Sequence, residues 1–175
     1  AEGMLMAIME EAEKVIANPS DYEARANIMW SGTIAHNDTC SLDRQEDWNS
    51  HAMEHEISAE YDVTHGAGLA VVFPAFLRYA SEHNPHKVAQ LAHRVLGVAD
   101  TGDASADALE GTRHLKAWLH DKLHMPVTFA QLGIPDPDIN LLNTRLHNLK
   151  GDILQGYMQL DAAATKQIYE YCKEE

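Results

Sequence analysis

The chain has 175 residues, 45% of them hydrophobic, enough for one domain that buries roughly 70% of its extended surface. Its 13 basic and 27 acidic residues give a net charge of −14, which argues against nucleic acid or an anionic membrane as a partner. No apolar run approaches the roughly 18 residues of a membrane span, so we expect no membrane segment. No basic signal region opens the chain, and Cys40 and Cys172 form no disulfide framework, so we expect a cytoplasmic protein.

Hydrophobic spacing predicts two helices in the first 37 residues. Residues 1–17 carry an apolar stripe at helical spacing, and Asn18 with Pro19 ends that helix. Ser20 and Glu23 form a capping box for a second helix that runs to about residue 37. We expect its core face to consist of Tyr22, Ala26, Met29, Trp30 and Thr33.

The rest of the chain also predicts helices. A third helix begins near Asp47 and breaks between Asp62 and Gly66. The segment 66–79 is apolar on nearly all sides, so we expect it at the centre of the domain, kinked by Pro74. Further helices are predicted at 85–98, 103–123, 139–149 and 162–172, and no hairpin signal or repeat is found. We therefore predict an all-α fold of seven or eight helices in a single bundle-like domain.

Three histidines stand out near the third predicted helix. His51 and His55 are four residues apart, so they lie on one helix face, and His65 follows the helix break. The chain has 11 histidines, and we interpret other close pairs as surface residues. The first cluster differs because its neighbours are apolar, and neutral imidazole is a common ligand of zinc and iron. The pattern indicates a metal or catalytic site.

Two other functions fit parts of the same pattern. His51, Glu54 and His55 also read H-x-x-E-H, the inverted zincin motif, in which Glu54 would be the general base of a metallopeptidase. That interpretation leaves His65 unexplained. A non-catalytic helical assembly module is the second alternative.

The longer pattern His51-x3-His55-x9-His65-Gly66, with Gly68 two residues further on, resembles the C-terminal signature of the iron-containing alcohol dehydrogenases. Residues 1–37 resemble the two helices that precede this signature in the butanol dehydrogenase and aldehyde reductase branch, and 68–80 resemble the helix that follows it. The resemblance covers nearly the whole chain. It favours this branch over dehydroquinate-synthase-like or glycerol-dehydrogenase-like relatives.

This resemblance implies specific roles for the histidines. His51 and His65 would be ligands of a divalent metal, iron or zinc. His55 would lie beside the metal and the nicotinamide as a polar or proton-relaying catalytic group. The reaction would be reversible hydride transfer between a small alcohol or aldehyde and NAD or NADP.

The resemblance also implies that 1–175 is the C-terminal helical metal-binding domain of a longer enzyme. The chain contains no G-x-G-x-x-G loop, so NAD or NADP would be bound mainly by an N-terminal nucleotide-binding domain that is absent from this chain. The family's two other metal ligands, an aspartate and a histidine, would lie upstream as well. The apolar stripe near the N-terminus predicts self-association, so we expect a homo-oligomer, at least a dimer.

Overall fold

Helices form nearly all the regular structure in this computed structural model, which describes residues 1–174. The helices are α1 (Glu2–Ala17), α2 (Tyr22–His36), α3 (Asn49–Tyr61), α4 (His65–His83), α5 (His86–Arg94), α6 (Ala104–Ala117), α7 (Ile139–Lys150) and α8 (Ala162–Tyr171). A π-helical segment, Trp118–Lys122, continues directly from α6. Leu154 and Leu160 pair in an isolated antiparallel bridge. The prediction of an all-α fold is confirmed.

Helix α4 is the centre of the domain, as its apolar sequence predicts. It packs against α3, α6 and α8. Val71, Val72 and Ala80 on α4 are almost completely buried, and they belong to one core cluster with residues of α3, α7 and α8. Pro74 lies inside the helix. The first residue of this central helix is His65.

Helices α5 and α6 approach each other closely at Gly111. A Cβ atom at this position would lie 3.0 Å from the Cα of Ala92, which is too close for an ordinary contact. The glycine therefore lets the two helix backbones pack closely, and this packing offsets the roughly 1 kcal/mol of helix stability that a glycine costs in a helix interior.

Helix α2 differs from its prediction in two ways. Asp21 rather than Ser20 caps the helix, since its side chain accepts a hydrogen bond from the Ala24 N–H at 3.0 Å. The predicted core face is also wrong: Tyr22, Met29 and Trp30 are 77%, 72% and 64% exposed. The reason is that α2 packs on α1 through its opposite side, where Ala24 is buried. The apolar face has no cover within the described part of the chain.

No helix within residues 1–174 is long and apolar enough to cross a membrane.

Candidate metal centre

The three predicted histidines converge where α3 and α4 meet. His51 and His55 lie one turn apart on α3, and His65 is the first residue of α4. The ring of His65 is 5.4 Å from that of His51 and 5.2 Å from that of His55, between centroids, while the His51 and His55 rings are 6.5 Å apart. The structure thus brings together residues that are 14 positions apart in sequence.

A tight chain reversal produces this convergence. Asp62 ends α3 with a left-handed backbone, φ 52°, and its N–H donates to the Ser58 carbonyl at 3.0 Å. Aspartate tolerates this conformation better than most residues. Thr64 then precedes α4 in an extended conformation, without a side-chain capping bond. The reversal is short enough to point His65 back at the face of α3.

The start of α3 is fixed by Asp47. One carboxylate oxygen accepts a hydrogen bond from the N–H of Asn49 at 2.8 Å, and the other accepts from the N–H of Tyr157 at 2.7 Å. Asp47 shares a helical face with His51 in the sequence. Its carboxylate nevertheless holds the helix start and the loop after α7, in keeping with its position at the positive end of the helix dipole.

His51 lies between an aromatic ring and the other imidazoles. Trp48 packs edge-to-face against it with a centroid distance of 4.8 Å, and the Trp48 indole N–H donates to Glu46 at 2.8 Å. Burial, together with the neighbouring imidazoles of His65 and His55, lowers the pKa of His51 below its ordinary value. The neutral form, which is the form that binds metals, is favoured.

Glu54 is the completely buried acid of this site. It lies on α3 between His51 and His55 and has no exposed surface. One of its oxygens contacts His65 Nδ1 and the other accepts a hydrogen bond from the Ser58 hydroxyl. The inverted zincin hypothesis needs Glu54 to activate water. A buried carboxylate already engaged by Ser58 and His65 does not suit that role.

The donor set fits a transition-metal cation. Imidazole nitrogens suit iron and zinc, and Nδ1 of His65 faces Glu54, which leaves Nε2 free for a ligand bond. Potential ligand atoms of Glu54, His55 and His65 lie within 4.8 Å of one another. His51 stands outside that set, beside His65, so the pairing of His51 with His65 stays a prediction. Zinc sites use at least three protein ligands, so a complete site needs further donors.

An apolar cavity opens beside the histidines. Its volume is about 450 Å³, in the size range of small-molecule sites. Asp47, Ser50, His51 and Gly66 line it, together with apolar side chains of α4, α6, the π-helical segment and the loop that follows it: Leu69, Ala70, Phe73, Phe76, Leu115, Leu119, Leu123 and Met125. The cavity can accept a small apolar chain whose polar end reaches the histidines.

Comparison with known proteins decides the family. Residues 1–170 match the model of the C-terminal part of the Fe-containing alcohol dehydrogenase family. The chain belongs to the iron-containing alcohol dehydrogenase family. The resemblance seen in the histidine pattern is thereby confirmed.

Three members of the iron-containing alcohol dehydrogenase family illustrate the match. The chain is 37% identical over 142 residues to probable NADH-dependent butanol dehydrogenase 1 of Bacillus subtilis, covering 81% of this chain and 36% of that protein. It is 27% identical over 172 residues to the NADPH-dependent aldehyde reductase YqhD of Escherichia coli, covering 97% of this chain and 43% of that protein. The crystal structure of NADH-dependent butanol dehydrogenase A from Thermotoga maritima superimposes with a TM-score of 0.91 and 36% identity, covering 99% of this chain and 45% of that one. The chain thus spans less than half the length of these relatives.

Sequence reasoning located the three histidines of this family member but missed the residues that surround them. Glu54 entered only as part of a competing motif, and the contacts of Trp48 and Ser58 were not predicted. The one available signal was the Glu54–Ser58 spacing of four residues, which places the two side chains on one helix face.

Proposed function

We propose that this chain is the helical half of a metal-dependent alcohol dehydrogenase or aldehyde reductase that uses NAD or NADP. The observation that carries the proposal is the convergence of His51, His55 and His65 at the start of the central helix, in a chain of the iron-containing family. The relatives named above support it, since their names describe NADH-dependent butanol dehydrogenases and an NADPH-dependent aldehyde reductase.

In this proposal His51 and His65 bind a divalent cation, iron or zinc, through neutral imidazole nitrogens. The lowered pKa of His51 supports its role, because the ring stays unprotonated and ready to bind at neutral pH. The remaining ligands come from a part of the enzyme outside this chain. A bound cation would supply Lewis-acid stabilisation, worth several kcal/mol, of the negative charge on the substrate oxygen, which forms as the alcohol loses its proton or as the aldehyde accepts the hydride.

His55 is the proposed proton-relaying group. It is exposed, and its ring lies 5.2 Å from that of His65. A substrate oxygen bound beside His65 would lie within reach of His55, directly or through one water, and the exposed ring could pass a proton to solvent.

The proposed substrate is a small alcohol or aldehyde with an apolar chain. The 450 Å³ cavity beside His51 is lined almost entirely by apolar side chains. A hydrocarbon chain in this cavity would keep the carbinol carbon next to the histidines and exclude water from it. NAD or NADP would be held mainly by the nucleotide-binding domain of the intact enzyme.

The test is metal-dependent turnover by the intact enzyme. Oxidation of butan-1-ol with NAD or NADP, followed by the absorbance of the reduced nicotinamide, should disappear after chelation and return when Fe²⁺ or Zn²⁺ is added. Unchanged activity in a preparation shown by elemental analysis to be metal-free would contradict the proposal, as would absence of activity with every alcohol and both cofactors.

A further inference from the structure

Burying the carboxylate of Glu54 costs free energy, because an ionised group loses its hydration unless protein partners replace the water. Glu54 has no exposed surface, and within residues 1–174 its ion-pair partner is His65. Its other oxygen is bound by the Ser58 hydroxyl. Both partners lie on the side of α3 that meets the start of α4.

The absence of a side chain at Gly68 leaves room for the Glu54 carboxylate. Gly68, on the first turn of α4, packs directly on the Glu54 side chain. A Cβ atom at Gly68 would lie 2.8 Å from Cγ and 2.9 Å from Cδ of Glu54, distances that real Cβ atoms essentially never show. Alanine at this position would push the carboxylate aside. Gly68 and Ser58 therefore hold the Glu54 carboxylate in one position, from two directions.

That position determines how His65 presents its ring. Nδ1 of His65 contacts the Glu54 carboxylate. An ionised carboxylate only accepts hydrogen bonds, so Nδ1 carries the proton of the neutral ring and Nε2 is the nitrogen left with a free lone pair. Histidines that bind metals commonly donate their second N–H to a carboxylate, which fixes the tautomer and raises the basicity of the binding nitrogen.

We propose that Glu54 is a positioning residue that holds His65 so that Nε2 faces the divalent cation. This inference rests on the proposed function, since it takes His65 as a metal ligand. Both oxygens of Glu54 are engaged, one by Ser58 and one by His65, so in this inference the carboxylate acts through the imidazole of His65 and does not bind the cation.

A purely structural role makes a different prediction. Removing one partner of a buried ion pair usually destabilises a protein whatever else that partner does, so a loss of stability in a Glu54 variant would not distinguish the two roles. If Glu54 only filled space, Glu54→Leu would leave metal affinity unchanged, whatever happened to stability. Metal affinity therefore separates the two roles, and it does so without any measurement of turnover.

The experiment is a competitive titration of the metal-free intact enzyme with Zn²⁺ against a chelator of known affinity. Glu54→Leu should raise the dissociation constant about 10–100-fold, the usual cost of losing such a partner. Glu54→Gln keeps an oxygen that can accept the Nδ1–H bond, so it should restore most of the affinity. The control is Glu56→Gln, two residues along α3 and also buried, with no hydrogen bond to a histidine among the described residues; its dissociation constant should not change.

Gly68→Ala provides a second variant, which carries the test if Glu54→Leu does not fold. It retains every polar group and displaces the carboxylate, so it should weaken Zn²⁺ binding by about 10-fold or more. Wild-type affinity in folded Glu54→Leu or in folded Gly68→Ala would overturn the inference. Failure of the proposed function looks different: in that case the wild-type enzyme binds no Zn²⁺, or His65→Ala binds it as tightly as wild type.

Discussion

The hydroxyl of Tyr169 donates a hydrogen bond to the backbone carbonyl of Met53 at 2.8 Å, and both residues are completely buried. Tyr169 lies on α8, whereas Met53 lies between His51 and His55 on α3. The last helix therefore supports the turn of α3 that carries two of the three histidines.

Removing this hydroxyl should destabilise the protein. We expect Tyr169→Phe to lower the free energy of unfolding by about 1 kcal/mol, the typical net contribution of one hydrogen bond, with additional cost if the cavity left behind stays empty. Urea denaturation measures the change. Tyr22→Phe is the matched control, because Tyr22 is 77% exposed, and it should leave the midpoint unaltered. Equal midpoints for Tyr169→Phe and wild type would show that the bond contributes nothing.

Asp107 carries a second buried carboxylate, and we expect it to account for part of the stability that the protein loses in acid. It accepts hydrogen bonds from the Thr101 hydroxyl at 2.6 Å, the Thr101 N–H at 3.1 Å and His93 at 3.0 Å. These bonds, that of the Thr101 hydroxyl first, lower the pKa of Asp107. The bonds from Thr101 also tie the loop between α5 and α6 to Asp107, and Asp100 of that loop lies close to Asp107 and His93.

The sign of the effect follows from that lowered pKa. A carboxyl that is more acidic in the folded state stabilises the fold above its ordinary pKa of about 4. This stability is lost as the pH falls through the lower, folded-state value. Asp107→Asn should therefore be less stable at pH 7 and should lose less of its stability between neutral and acid pH than wild type. Urea midpoints across that range test this, with Asp152→Asn as the exposed control; parallel curves for wild type and Asp107→Asn would contradict it.

His55 should behave differently from a metal ligand. In the intact enzyme, His55→Phe should keep its metal and lower turnover by about 10²-fold, the usual size of a general acid–base contribution. Elemental analysis together with steady-state kinetics makes the distinction. A loss of metal in this variant would instead make His55 a ligand, an outcome consistent with its closeness to Glu54 and His65.

The exposed face of α2 suggests self-association. Tyr22, Met29 and Trp30 form an uncovered apolar surface on one side of this helix, and surfaces of this kind tend to mark association sites. We propose that the 175-residue chain alone forms at least a dimer through this face, folded but without dehydrogenase activity. Trp30→Glu should shift it toward monomer in light scattering after gel filtration, whereas Asn140→Glu, which adds the same charge at an exposed position of α7, should not. A monomeric wild-type chain would rule out the proposal.

Local pattern was sufficient to predict the helices and the histidine cluster. The all-round apolar segment at 66–79 indicates a central helix because only burial on every side tolerates such a sequence, and α4 is that helix. The spacing of His51 and His55 likewise fixes their common face. Both features depend on residues within a few turns of one another.

Features that depend on distant packing could not be predicted in this way. The stripe containing Met29 and Trp30 shows that α2 has an apolar face, but the pattern does not say what covers that face. The contact of Glu54 with His65 depends on how α3 crosses α4 and on the space at Gly68, neither of which has a periodic signature. In the sequence alone, Glu54 therefore cannot be distinguished from any other polar residue of a helix.

The central claim is that His51 and His65 are this chain's ligands for the divalent cation. The most direct test is the metal content of the purified intact enzyme, measured by elemental mass spectrometry after gel filtration, for His51→Ala, His65→Ala and His55→Phe. We predict one cation per chain in wild type and His55→Phe, and nearly complete loss in the two alanine variants, because each removes a coordinating nitrogen. A stoichiometric cation in either alanine variant would contradict the account.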